Sequence, residues 1–175
     1  MTLYDFVRSK GCASVKCGCE TSNCGLCTVF LDDVPVLSCS VLAARASGHR
    51  VDTLEGLQEE AEEFGAFIAG QGAEQCGFCN PGMIMNAIAL FREKSDPTDQ
   101  EIREYLAGNL CRCSGYEGQM RGIRNFIAYK KEKALQGEQK EEERMRMRRG
   151  IEGTRENPSD EPEKEAGVQE GGAGA

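Results

Sequence analysis

Histidine is nearly absent from this chain, with His49 alone among 175 residues. Metal sites that mix imidazole with thiolate therefore have little to draw on, and thiolate-only sites are favoured. Positive charge is also short. The formal net charge of −8 argues against nucleic-acid binding, which needs clustered Lys and Arg to neutralise phosphates. Long apolar runs are missing too: no stretch approaches the roughly 18 apolar residues of a membrane span. The first residues, MTLYDFVRSK, show no basic segment followed by an apolar core, so no secretory signal is read there and a cytoplasmic location is expected. The length argues for one or two small domains.

Cysteine is the residue in excess. There are ten: Cys12, Cys17, Cys19, Cys24, Cys27, Cys39, Cys76, Cys79, Cys111 and Cys113. A disulfide scaffold needs an oxidising compartment, for which nothing in the sequence speaks, whereas dense cysteine in a reducing compartment usually means metal.

The elements fall into two kinds. Thr2 to Asp5 reads as a capping box opening a short helix with Leu3, Phe6 and Val7 on one face. Residues 10–27, rich in Gly, Ser and Cys, read as a loop. Thr28–Leu31 and Val36–Ser38 flank Asp32-Asp33 as a hairpin, with Pro35 at a strand start or edge, and residues 51–54 add a possible strand. Beyond Gly56 the period turns helical: Leu57, Ala61, Phe64, Phe67 and Ile68; then Met83, Ile84, Ala87, Ile88 and Phe91 behind an Asn80 cap and Pro81. Thr98 to Glu101 forms a second capping box, Gly108 closes that helix, and another helix starts near Gln119. The fold expected is α+β, with a β-containing domain over residues 1–56, a helical domain over 57–135 and a charged, disordered or solvated helical tail over 136–175. In the tail, RMRMRR at 144–149 reads as a charged helix face, with Glu142 four residues before Arg146, in preference to an anion-binding patch.

Cys19, Cys24 and Cys27 are spaced C-x4-C-x2-C, with Cys39 further on. That is the plant-type ferredoxin ligand spacing. Gly18 and Gly25 allow the backbone to approach a cluster closely, and loop amides with Ser22 and Asn23 can donate to sulfur. A structural zinc site is the bland alternative, disfavoured by the four-residue gap. Cys12 and Cys17 are left over as thiols without a ligand role, although spacing alone permits Cys17 to replace Cys19. In the second group Cys76-Gly-Phe-Cys79 precedes one helix and Cys111-Arg-Cys113 follows another. Four thiolates at helix termini can converge on one cluster; a lone dithiol redox pair is the alternative, without its usual βαβ context.

GCETSNCGLCTV with Ser38-Cys39, then EQCGFCNPGMIM, then AGNLCRCSGY, resemble the iron–sulfur small subunits of molybdenum hydroxylases, the family of xanthine dehydrogenase, aldehyde oxidoreductase and carbon monoxide dehydrogenase. The resemblance covers residues 1 to about 130. It implies a ferredoxin-like β-grasp domain holding one [2Fe–2S] cluster on Cys19, Cys24, Cys27 and Cys39, and a four-helix domain holding another on Cys76, Cys79, Cys111 and Cys113. It further implies that Gln75 and Cys113 lie against the molybdopterin of a large partner subunit, and that the other cluster faces an FAD subunit. The chain would then relay electrons from molybdenum to flavin while its partner hydroxylates a substrate. SVKCGC and SNCGLCTV look most like the anaerobic bacterial xanthine-dehydrogenase branch. Relatives carry a β-hairpin ahead of the first helix, so either the true start lies upstream or the sheet lacks two strands. A stand-alone ferredoxin-like carrier and a structural zinc module are the competing readings. Against the carrier stand the second cysteine group and an apolar NPGMIM helix free for docking.

Overall fold

The computed structural model describes residues 1–152, the side chains of 149–152 excepted. Met1–Glu132 forms one compact unit, and the described residues from Lys133 onward belong to a second.

The first unit opens with helix α1 (Leu3–Ser9). Thr2 and Asp5 cap it reciprocally: each backbone N–H donates to the other's side chain at 3.1 Å. Leu3 and Val7 are buried, as an amphipathic helix requires, but Phe6 lies on the exposed side under Lys10. Strands β1 (Thr28–Leu31) and β2 (Val34–Leu37) form the expected hairpin, and β3 (Val51–Asp52) pairs antiparallel with β1 on its other side, giving the order β2-β1-β3. The two-residue connection takes Asp32 and Asp33 to φ 48° and 67°. Both central residues of a type I′ turn need positive φ, which matches the right-handed twist of the strands, and Asp tolerates that region. Pro35 lies on the edge strand β2, opposite Phe30, where its missing N–H costs no inner ladder bond.

Four helices follow: α2 (Gln58–Gly70), α3 (Asn80–Glu93), α4 (Asp99–Tyr105) and α5 (Glu117–Glu152). Their apolar faces share one core containing Phe64, Ile68, Met85, Leu90, Ile102, Ile123 and Phe126. Phe126 lies within ring-packing distance of Phe64, Phe67 and Phe91. A second, smaller core gathers Leu3, Val7, Val15, Cys27 and Val29. Strand β1 serves both. Successive side chains of a strand point to opposite faces, so Val29 enters the small core while Phe30 enters the helical one, both with no solvent exposure.

Two expectations about α3 are corrected. Its N-cap is Cys79 and not Asn80; the Asn80 carboxamide is drawn away to donate to Glu74 at 2.7 Å. Its apolar residues Met83, Ile84, Met85 and Ala87 to Leu90 are buried, so the face expected to be free for docking is spent on the protein's own core. At α4 the Thr98 box is present: Thr98 Oγ1 accepts from Glu101 N–H at 3.3 Å and Glu101 accepts from Thr98 N–H at 2.8 Å. Thr98→Ala removes this cap and is expected to cost about 1 kcal/mol in urea unfolding. The charged run from residue 136 continues α5 to residue 152 and is exposed as far as residue 148; the remainder of that segment, 153–175, lies outside the described residues. Among the described residues no helix is long and apolar enough to cross a membrane.

Candidate iron–sulfur sites

All ten cysteines carry free thiols. Eight of them stand in two groups of four, and each group is built from two pairs.

The first group takes Cys19, Cys24 and Cys27 from the loop between α1 and β1 and Cys39 from the turn after β2. The Cys19 and Cys24 thiols lie near enough to shift each other's ionisation. Cys27 and Cys39 form the second pair. Strand register produces that pair: Thr28 lies opposite Leu37, so the residues just outside the hairpin, Cys27 and Ser38, meet. Buried Ser38 donates to the Cys27 carbonyl through both its hydroxyl (2.7 Å) and its N–H (3.2 Å), which brings Cys39 onto Cys27. Cys39 also reaches the Ser22 hydroxyl at 3.5 Å and stands near enough to feel the charge of Cys19. Cys17, which spacing left open as a substitute for Cys19, is exposed and turned away, donating to the Cys19 carbonyl at 3.1 Å. Cys12 is half-buried against the small apolar core.

The second group joins two helix termini. Cys79 is at the N-cap of α3, Cys76 in the turn before it, and Cys111 and Cys113 in the loop between α4 and α5. Cys76 and Cys113 have their sulfurs 3.7 Å apart, and the Cys79 and Cys111 thiols lie near enough to shift each other's ionisation. Gln75 donates through Nε2 to the Cys113 carbonyl at 3.0 Å, so the two residues matched to the pterin-proximal positions are neighbours. Cys76, Cys113 and Gln75 are exposed, together with Phe78, Leu110 and Tyr116. Among the described residues no three His, Cys, Asp or Glu side chains are grouped as around a single metal ion; the thiols stand two by two.

Both groups are set to hold sulfur anions. The amides of Asn23 and Thr21 and the Cys24 thiol draw the Cys19 thiol down to about 6. Burial pushes Cys24 up, and it pushes Cys27 up to about 11. Burial also carries Cys79 up to about 12, whereas on Cys111 it is outweighed by Ser114 and the Cys113 amide, leaving that thiol at about 7. The Ser114 N–H reaches Cys111 Sγ at 3.3 Å. In Cys19/Cys24 and Cys79/Cys111 an acidic thiol that hydrogen bonds stabilise thus stands beside one that burial pushes up.

Three supports were not read from the sequence. Glu55 accepts from both the N–H (2.8 Å) and the hydroxyl (2.6 Å) of Ser14, which ties the first loop to the segment ahead of α2 and holds the Glu55 carboxyl at about 2 against the opposing effect of burial. The Tyr116 hydroxyl accepts from the Cys111 N–H at 3.0 Å, from a residue at φ 69°. Asn109 is buried between the two groups. The signal for the last two was present, since both lie inside the AGNLCRCSGY run, but nothing in a single sequence separates a structural polar residue from a solvent-facing one.

The two groups touch. The Cys24 carbonyl accepts from the N–H of Leu110, next to Cys111, at 3.0 Å. Gly82 of α3 lies against Gly25: a Cβ on Gly82 would stand 2.3 Å from the Gly25 carbonyl oxygen. Gly25 itself sits at φ 74°, with Gly108 and Asn109 where its own Cβ would be.

A family profile described as "[2Fe-2S] binding domain" matches residues 53–124, which contain the whole second group. The fold, mixed helix and small sheet, is similar to that of a chain in the quinoline 2-oxidoreductase crystal structure from Pseudomonas putida 86, to which this chain is 38% identical with a TM-score of 0.68, over 74% of this chain and 82% of that one. The chain therefore belongs to the iron–sulfur small subunits of the molybdenum hydroxylases, oxidoreductase complexes of the xanthine dehydrogenase kind. It is 44% identical to the xanthine dehydrogenase iron-sulfur-binding subunit of Escherichia coli, over 66% of this chain and 75% of that relative. To the nicotinate dehydrogenase small FeS subunit of Eubacterium barkeri it is 44% identical, over 65% and 74% respectively.

Proposed function

We propose that the chain is an electron-relay subunit with two [2Fe–2S] clusters, one on Cys19, Cys24, Cys27 and Cys39 and the other on Cys76, Cys79, Cys111 and Cys113. The observation that carries this reading is the arrangement of each group as two thiol pairs surrounded by backbone donors. A dinuclear cluster needs two thiolates on each iron and hydrogen bonds to sulfur to tune its potential, so the donor sets fit. Residues 1–56 then act as the ferredoxin-like β-grasp part, 57–135 as the four-helix part, and 136–175 as an appended charged tail. When bound, the clusters supply one-electron carriers between a molybdenum cofactor in a large subunit and FAD in another, in a cytoplasmic complex.

The chain's own residues do the rest. The burial of Cys24 and Cys27 keeps water from their side of the first site and lowers the local dielectric there. Gln75 and Cys113, exposed and joined by a hydrogen bond, form the surface offered to the molybdopterin. The Leu110–Cys24 bond links the sites through one hydrogen bond and the short backbone stretches that lead to Cys24 and Cys111. The partner's substrate class rests on relatives alone, two of which are named for xanthine and nicotinate.

Anaerobic capture of the complex through a tag on this chain tests the reading. About four irons and four acid-labile sulfides per chain are expected, with molybdenum on a co-purifying large subunit. Zinc without sulfide would reduce the chain to a structural module, and about two irons with no molybdenum-bearing partner would leave a single-cluster carrier.

A further inference from the structure

The bond from Leu110 to Cys24 is not held by the Leu110 side chain. Leu110 is 47% exposed, and Cys24 lies on a loop without regular structure. Whatever keeps these two backbones in register must sit beside them. Asn109 does: it is only 7% exposed, and its three polar groups reach three different segments. Its N–H closes the turn after α4 on the Leu106 carbonyl at 2.8 Å. Its Oδ1 accepts from Asn86 Nδ2 of α3 at 2.5 Å. Its Nδ2 faces the Gly25 carbonyl at 3.5 Å, one residue from Cys24.

We propose that Asn109 is a positioning residue that holds the first thiol loop against the Cys111 segment, and so keeps the two clusters in electronic contact. The proposal rests on the relay reading above. The chemistry calls for a carboxamide, because one side chain must accept from α3 and donate to the loop at once. Aspartate keeps the acceptor and loses the donor; leucine has the volume and neither. The transfer concerned is one electron leaving a reduced cluster at Cys76, Cys79, Cys111 and Cys113 and arriving at an oxidised one at Cys19, Cys24, Cys27 and Cys39, with no bond or proton exchanged. Its rate falls steeply with any gap opened in the covalent and hydrogen-bonded path, while the potentials depend on the thiolates and their own amide donors, which Asn109 does not touch.

The test uses the intact complex carrying Asn109→Leu or Asn109→Asp. Iron and sulfide content are measured, along with the midpoint potential of each cluster, the magnetic coupling between the two reduced clusters, and the rate of intercluster exchange after one-electron injection by pulse radiolysis. Potentials and iron content are expected to stay as in the unmodified complex. The coupling is expected to weaken and the exchange to slow severalfold in Asn109→Leu, and by less in Asn109→Asp. Asn86→Ala, which removes the anchor on the side away from the thiols, is read for the same quantities and is expected to give a smaller loss in the same direction. Unchanged coupling and exchange in either Asn109→Leu or Asn86→Ala overturns the proposal. An unmodified complex holding only about two irons per chain overturns the relay reading instead.

Discussion

Cys27→Ser is expected to halve the iron the chain retains, from about four atoms to about two, while Cys17→Ser leaves it unchanged. The two residues are chemically alike and lie in the same cysteine-rich stretch, so the contrast isolates geometry. Cys27 is buried, paired with Cys39 and fastened by Ser38 to the end of the hairpin. A serine hydroxyl there is a poor ligand for iron, and burial opposes its ionisation as it does that of the Cys27 thiol. Cys17 points out of the group toward a backbone carbonyl. Iron and sulfide assays, with electron paramagnetic resonance of the dithionite-reduced chain, read the outcome: one signal lost in Cys27→Ser and both kept in Cys17→Ser. Equal losses in the two variants would mean that the ligand set includes Cys17.

Gly82→Ala is expected to destabilise the protein by about 3 kcal/mol or more in chemical unfolding. In an exposed helix the same change stabilises by roughly 0.5–1 kcal/mol, because alanine has less backbone entropy to lose. Here the sign reverses. The new methyl would stand 2.3 Å from the Gly25 carbonyl oxygen and 2.9 Å from Leu26 Cα. Both obstacles are backbone, and α3 cannot yield because Met83, Met85 and Ala87 next to it are sealed in the helical core. Overpacking of this kind costs typically 1–3 kcal/mol and occasionally more, and here it also strains the loop that carries Cys24 and Cys27. The first cluster is therefore expected to be lost more readily on dilution than the second. A midpoint equal to or above that of the unmodified protein would show that α3 and the first thiol loop do not meet as described.

Much of the local structure is legible residue by residue. The Thr2 and Thr98 capping boxes, the Asp32-Asp33 hairpin and the helical periods after Gly56 are short-range features, decided by side chains bonding to a backbone a few residues away or by apolar spacing along one element. The cysteine spacings alone likewise point to two four-thiol groups. The cap of α3 is harder to read. Asn80 has the better intrinsic propensity, but Glu74 competes for its carboxamide, and Cys79 takes the position. The NPGMIM face also looks equally suited to a partner and to a core, because apolar periodicity says that a face is buried and not against what.

Sequence by itself determined that this chain concentrates thiolate chemistry in two loops, carries no apolar span among the described residues and builds one hairpin and a set of amphipathic helices. Those properties follow from residue type and from neighbours within a turn or two. Tertiary structure alone decided which thiols pair with which, that Cys17 faces away, that Val29 and Phe30 serve opposite cores, and that Cys24 and the segment before Cys111 share a hydrogen bond under the cover of Asn109. These last contacts join segments more than 80 residues apart. They depend on how closely two backbones can approach, and that is set by the bare glycines at positions 25 and 82 together with the packing of α3, which no local pattern encodes.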